Sequence, residues 1–349
     1  MSLISRYSVS GRLRTQSIVR RSGSRLLGMV IGVRIVSLLP SATEIVCALG
    51  ARNHLVGRSH ECDFPSGVED LPILTSARIG PLPTSKGIDI AVRDVVKDAL
   101  AIYPIDVEKL RDLRPDVIVT QDLCDVCAVT FEDVRAAVAR LARSDVKIIS
   151  LHPQVLEDIW ADMLKVADVL GRTEVGRRVV GSLRERVAEI ARRASRTPNK
   201  PTVLTIEWID PVMIGGMWMP ELATLAGGAP LVTKPGEHAP TVTYEQLETL
   251  DPDAVLVKPC GFRLERTLKE LPVLRDVLPS GSWRAVAEGR VYVADGNAYF
   301  NRPGPRIVES LEILAACVNP EEFQDFVEKH RESVVRIGKD FANLPLGDA

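Results

Sequence analysis

Two distant stretches of the chain repeat one another. Glu108-Lys-Leu-Arg-Asp-Leu-Arg-Pro115-Asp116 is echoed by Glu245-Gln-Leu-Glu-Thr-Leu-Asp-Pro252-Asp253. In each, a glutamate on a short helix precedes a Pro-Asp that opens an apolar strand. A cysteine follows that strand, Cys124 in one case and Cys260 in the other. A repeat of this kind asks for two related lobes rather than one continuous sheet. Around it, short apolar runs at 33–39, 55–59, 116–120, 146–151, 202–207, 254–257 and 291–294 alternate with helical periodicity. Such alternation builds parallel α/β sheets.

Between the two sets, Val175, Val179, Leu183, Val187, Ile190 and Ala194 recur at helical spacing, with Arg and Glu on the other faces. Residues 173–196 are therefore expected to form one amphipathic helix about 36 Å long at 1.5 Å per residue. Thr197-Pro198-Asn199-Lys200-Pro201 ends it. The expected architecture is α/β, with two Rossmann-like lobes joined by one long rigid α-helix. Its parts are an N-terminal lobe over 29–171, the linking helix over 172–200 and a C-terminal lobe over 201–349. A closing helix is expected over 321–342. Ser41-Ala-Thr-Glu44 reads as a capping box, and the Pro-, Gly- and Ser-rich stretch 64–88 as a loop.

Residues 1–28 stand apart. They carry Arg6, Arg12, Arg14, Arg20, Arg21 and Arg25, and the first acidic residue is Glu44. Such a segment resembles an organellar transit peptide rather than a secretory signal. A true start at Met29 and a disordered tail are the other readings. Over the whole chain, 44 Lys and Arg face 46 Asp and Glu. That balance argues against a nucleic-acid binder. No apolar run of membrane-spanning length occurs, and six Cys in 349 residues are too sparse for a disulfide scaffold. Neither a Walker A motif nor a G-x-G-x-x-G follows a strand, and no G-x-S-x-G elbow occurs. ATPases, dinucleotide enzymes and α/β hydrolases are therefore disfavoured.

Ligands of such sheets bind beyond the C-terminal strand ends, and two lobes place a cleft there. The strand ends carry Pro40 and Ser41; His60, Glu61, Cys62 and Asp63; Gln121, Cys124 and Cys127; Glu207, Trp208 and Trp218; Cys260 and Phe262; and Tyr299, Phe300, Asn301, Arg302 and Arg306. Aromatic walls with sparse polar groups suit a large, flat, partly apolar ligand. Cys124 and Cys127 form a C-x-x-C with no second such pair, so a structural zinc site is unsupported. These thiols can contact ligand or bind a soft metal with Cys62, Cys260 and His60. They can instead form a redox pair or lie inert in the core. His60 suits either metal ligation or simple hydrogen bonding.

Several stretches resemble the vitamin B12-binding proteins of ABC importers, in the helical-backbone class of substrate-binding proteins. They are Ser37-Leu-Leu-Pro-Ser-Ala-Thr-Glu-Ile45, His60-Glu-Cys-Asp-Phe-Pro65, Leu113-Arg-Pro-Asp-Val-Ile118, Leu225-Ala-Gly-Gly228 and Arg302-Pro-Gly-Pro-Arg306. The likeness covers about residues 33–318. It implies a class III periplasmic-binding-protein fold and a non-enzymatic role with no required cofactor. The implied ligand is one cobalamin or related corrinoid between the lobes, lined by Pro40, Ser41, His60, Cys62, Trp208, Trp218, Tyr299, Phe300 and Arg302. It further implies that Glu108 and Glu245, one on each lobe tip, dock on permease arginines. A monomer in an extracytoplasmic compartment is the family expectation, although no secretory signal is seen. Two alternatives follow. The ligand is a ferric siderophore or haem, or the chain is a cytosolic thiol- or metal-dependent enzyme using Cys124, Cys127 and Cys260. A cytoplasmic corrinoid carrier without a transporter is a further variant.

Overall fold

The computed structural model describes residues 32–80, 82–97, 103–121, 131–139, 145–279 and 281–338. The first lobe is a parallel sheet of β1 (Ile35–Ser37), β2 (Leu55–Arg58), β3 (Val117–Gln121) and β4 (Lys147–Leu151), in the order β2-β1-β3-β4. β3 is buried at every position, as a strand covered by helices on both faces must be. The connections carry α1 (Pro40–Ala48), α2 (Ser85–Lys97), α3 (Val107–Leu113) and α4 (Phe131–Ala139), and α5 (Leu156–Val169) follows β4. The start of α2 falls inside the stretch read as loop. α3 begins where Asp106 accepts a hydrogen bond from the Lys109 backbone, a side-chain cap of the expected kind.

The linking helix, α6 (Thr173–Ala194), has 22 residues, or about 33 Å. Glu174 in its first turn and Arg192 and Arg193 in its last suit the helix dipole. Its inner face packs closely on α5. A Cβ on Gly176 would come within 2.5 Å of the Ala167 side chain, so glycine alone permits this approach.

The second lobe contains β5 (Thr202–Trp208), β6 (Met213–Ile214), α7 (Met219–Leu225), β7 (Ala229–Pro230), α8 (Tyr244–Glu248) and β8 (Ala254–Val257). After these come α9 (Leu264–Lys269), α10 (Leu271–Val277), α11 (Arg284–Ala287), β9 (Val291–Ala294), α12 (Ile307–Val318), α13 (Gln324–Lys329) and β10 (Val334–Ile337). The sheet order is β10-β9-β8-β5-β6, with β7 beside β5. β5, β7, β8 and β9 run parallel, while β6 and β10 are antiparallel.

The expected closing helix over 321–342 is not formed as such. Among the described residues of that stretch only α13 is helical, and the chain then turns into β10, pairing Val334 with Ala294 and Ile337 with Val291. Val334, Val335 and Ile337 are β-branched, and such residues fit a pleated, half-buried edge better than a helix.

One apolar core runs through both lobes. It joins Leu39 and Ile45 at the start, Trp160 and Met163 of α5, Leu183 and Ile190 of α6, Leu222 of α7, and Leu311 and Leu314 of α12. Each fully buried side chain of this size contributes about 1.5–3 kcal/mol. The lobes are thus fixed to the linking helix on both sides. Among the described residues, no helix is long and apolar enough to cross a membrane.

Candidate ligand-binding site

The C-terminal strand ends of the two sheets meet through a group of charges. Pro40 is already helical and Leu39, in extended conformation, takes the cap position of α1. Ser41 therefore lies inside the first turn and cannot cap it, so the capping box read from sequence is absent. Glu44, freed from that role, turns to the other lobe. Its carboxylate accepts from Arg306 Nε at 3.0 Å, Arg306 Nη2 at 2.6 Å and Arg302 Nη1 at 3.3 Å.

Asp63, just beyond β2, accepts from Arg302 Nη1 at 2.6 Å, Asn297 Nδ2 at 3.2 Å and Arg263 Nη2 at 3.4 Å. Burial alone would raise the Asp63 carboxyl, but the bonds from Arg302 outweigh it and hold the group low. Arg302, buried, and Arg306, half-buried, are thus matched by two carboxylates, Glu44 and Asp63. The Arg306 guanidinium also lies 4.0 Å from the centre of the Phe64 ring and 5.5 Å from that of Tyr299. It is a cation stacked between an aromatic ring from each lobe.

A second buried network supports the floor. Lys258, at the end of β8 and fully buried, donates to Glu207 Oε2 at 2.8 Å and to Asn301 Oδ1 at 3.1 Å. Glu207 precedes Trp208, and Asn301 precedes Arg302, so this lysine ties two binding segments together. Trp208 packs on Phe262, ring centres 5.1 Å apart, and Phe262 in turn carries the Arg266 guanidinium at 4.5 Å.

A strap from the first lobe crosses to this edge. Arg266 Nη2 donates to the Leu82 carbonyl at 2.8 Å, and Glu270 Oε2 accepts from the Ser85 amide at 3.1 Å. The first turn of α2 is therefore capped by the opposite lobe.

His60 stands at the end of β2, half-buried, with its ring beside Tyr103 at 5.2 Å between centres. Its Nδ1 is 2.8 Å from Thr75 Oγ1, which also accepts from the His60 amide and donates to Ser59 Oγ. Burial, with Arg58 close by, holds the imidazole below its ordinary value. Burial raises the neighbouring Glu61 carboxyl against the pull of Arg302.

Several expected wall residues lie elsewhere. Trp218 and Phe300 are core residues here, joined by a 2.8 Å hydrogen bond from Trp218 Nε1 to the Phe300 carbonyl. The indole has its polar end satisfied inside, so packing it in the core carries no unmet donor. Cys62 is also buried, its sulfur 3.0 Å from Thr43 Oγ1, and burial pushes its thiol up to about 11. That keeps it protonated at neutral pH and a poor metal ligand.

Pro40, His60, Trp208 and Tyr299 are partly exposed, as is Cys260, while Ser41 and Arg302 are buried. Cys124 and Cys127 lie outside the described residues. Among the described residues, no group of three His, Cys, Asp or Glu could hold a metal ion. Glu108 and Glu245 are exposed, each in the first turn of its short helix, α3 and α8.

Sequence reasoning missed Glu44 and Lys258. A signal for Glu44 did exist. Arg302 and Arg306, four residues apart just before an apolar helix, need anions to balance them.

Residues 35–298 match the periplasmic binding protein family. The chain belongs to that family. A vitamin B12-binding protein from Photorhabdus laumondii is 21% identical to this periplasmic binding protein over 288 residues, 82% of this chain and 88% of the relative. Among solved structures, a periplasmic haem binding protein from Pseudomonas aeruginosa aligns with TM-score 0.63 and 21% identity, over 82% of this chain and 93% of that one. The periplasmic vitamin B12 binding protein of Vibrio cholerae aligns with TM-score 0.59 and 19% identity, over 82% and 96%. The structural likenesses establish the fold: two α/β lobes on a linking helix. As a member of a family of binding proteins, the chain is not an enzyme, and the thiol- or metal-enzyme alternative is set aside. No cofactor is indicated for such a protein.

Proposed function

We propose that this protein captures cobalamin or a related corrinoid between its lobes and delivers it to an ABC permease. The observation that carries this reading is the charge balance of the cleft. Arg302 and Arg306 are already paired with Glu44 and Asp63. A haem brings two carboxylates and a ferric catecholate brings more, and burying such charges calls for unpaired cations. A corrin periphery of neutral amides does not. Ser41 Oγ, Trp208 Nε1 and Arg302 Nη2 are buried donors with no partner among the described residues. Amide carbonyls supply the acceptors such groups need.

Pro40, His60, Trp208 and Tyr299 would face the corrin ring, and Ser41 and Arg302 would meet its amides. The B12-binding relative adds support, and the family points to an extracytoplasmic compartment. The test is titration of the full chain with cyanocobalamin and with haemin, followed by tryptophan fluorescence. Tight cobalamin binding supports the reading, and tight haemin binding alone defeats it.

Delivery rests on Glu108 and Glu245. Both are solvent-exposed carboxylates at repeat-equivalent positions, well suited to steering and register on a basic partner. The double reversal Glu108→Arg and Glu245→Arg is expected to abolish corrinoid uptake in cells that depend on this protein. Corrinoid affinity in solution should stay within about twofold, since charges exposed to solvent are largely screened by salt. Uptake at the wild-type rate would remove the docking role.

A further inference from the structure

We propose that His60 Nε2 is an axial ligand to the corrinoid cobalt, and that the protein thereby selects corrinoids with an exchangeable axial position. The inference rests on the corrinoid reading above and specifies its chemistry.

The imidazole is anchored by Thr75. Its hydroxyl accepts from the His60 amide at 3.0 Å and donates to Ser59 Oγ at 3.0 Å. With that proton given to Ser59, the 2.8 Å contact with His60 Nδ1 has Nδ1–H as its donor. The imidazole is then the tautomer with a bare lone pair on Nε2. A metal-ligating histidine is usually oriented this way, its far nitrogen donating to a fixed oxygen.

Thr75 is buried and sits in an isolated bridge opposite Ile105, so the anchor is itself held by the fold. The Tyr103 ring restrains the other side of the imidazole. His60 also lies on the segment that reaches the opposite lobe through Asp63, three residues on.

A single imidazole suffices for this role. The macrocycle supplies the four equatorial nitrogens, so the lack of any three-ligand group among the described residues is no obstacle. The step balances simply. The Nε2 lone pair forms the bond to cobalt as a bound water leaves with its own pair, and cobalt keeps its oxidation state. Cyanide is a far stronger axial ligand than water and would not be displaced.

The test compares aquocobalamin with cyanocobalamin on the full chain, reading affinity and the visible corrin bands. Wild-type protein is expected to shift the bands of aquocobalamin in the direction that free imidazole does, and to leave those of cyanocobalamin in place. It should bind the aquo form about tenfold or more tightly, the usual scale for a metal–ligand contact with its orienting partner. In His60→Ala the band shift and the preference should both vanish. Thr75→Val should reduce the shift, because Nδ1 loses its fixed acceptor.

Equal affinity for the two forms with no band shift in wild type would overturn the ligation while leaving the corrinoid reading intact. A shift that persists in His60→Ala would also overturn it. Failure of either cobalamin to bind would overturn the corrinoid reading, and the ligation with it.

Discussion

Glu44→Gln is expected to destabilise the protein by about 3–5 kcal/mol, the usual cost of removing one partner from a buried ion pair. Glu44 is 2% exposed at its side chain, and its two arginine partners are 5% and 15% exposed. The neutral amide keeps the shape but, among the described residues, leaves Arg306 with no anion and Arg302 with Asp63 alone. Burial penalises the Arg302 charge, and Asp63 and Glu44 together overcome that penalty. The loss should appear as a lower urea midpoint with an unchanged slope. Adding Arg306→Met to Glu44→Gln should recover part of it, since the uncompensated charge is then gone. A midpoint within experimental error of wild type would mean that solvent reaches these arginines and that the lobes are not held together here.

The second large effect lies on the far side of the C-terminal lobe. Glu312 of α12 accepts from His330 Nε2 at 2.8 Å, Lys329 Nζ at 2.6 Å and Arg186 Nη2 at 2.8 Å. Burial would raise this carboxyl, but the three bonds outweigh it and bring it down from 4.5 to about 2. A carboxyl lowered on folding stabilises the folded state above its unfolded value. Its contribution is therefore whole above about pH 4.5 and is lost as the pH falls towards 2.

At about 1.4 kcal/mol per unit, with some allowance for solvent screening, the contribution is about 2–3 kcal/mol. Glu312→Gln should lose that amount at pH 7 and almost nothing at pH 2. Unfolding curves across this range would detect it. Parallel stability profiles for the two proteins would contradict the account. Because Arg186 belongs to α6 and His330 follows α13, this network also ties the linking helix to the closing segment.

The fold was legible because its signals are periodic. The spacing of Val175, Val179, Leu183 and Ile190 marks α6, and the Glu-to-Pro-Asp repeat marks the equivalent strands β3 and β8. The lobe edges were less so. Val334, Val335 and Ile337 follow a helical segment and become a strand only because β9 offers an open edge to pair with.

At the site, residue types were legible but directions were not. Trp218 and Phe300 follow strands, as wall residues do, yet their side chains turn into the core. Glu44 satisfied a local motif so well that its partners, more than 250 residues away, had no trace in its surroundings. Contacts between lobes depend on how two sheets close on one another, and no short window of sequence carries that.

A charge-balanced cleft should take a neutral-rimmed corrinoid. Calorimetric titration of the full chain with aquocobalamin and with haemin tests it most directly. Sub-micromolar binding of aquocobalamin at one site per chain is expected, with haemin weaker by about a hundredfold or more, roughly 2.7 kcal/mol. Sub-micromolar binding of haemin with no binding of aquocobalamin would contradict it.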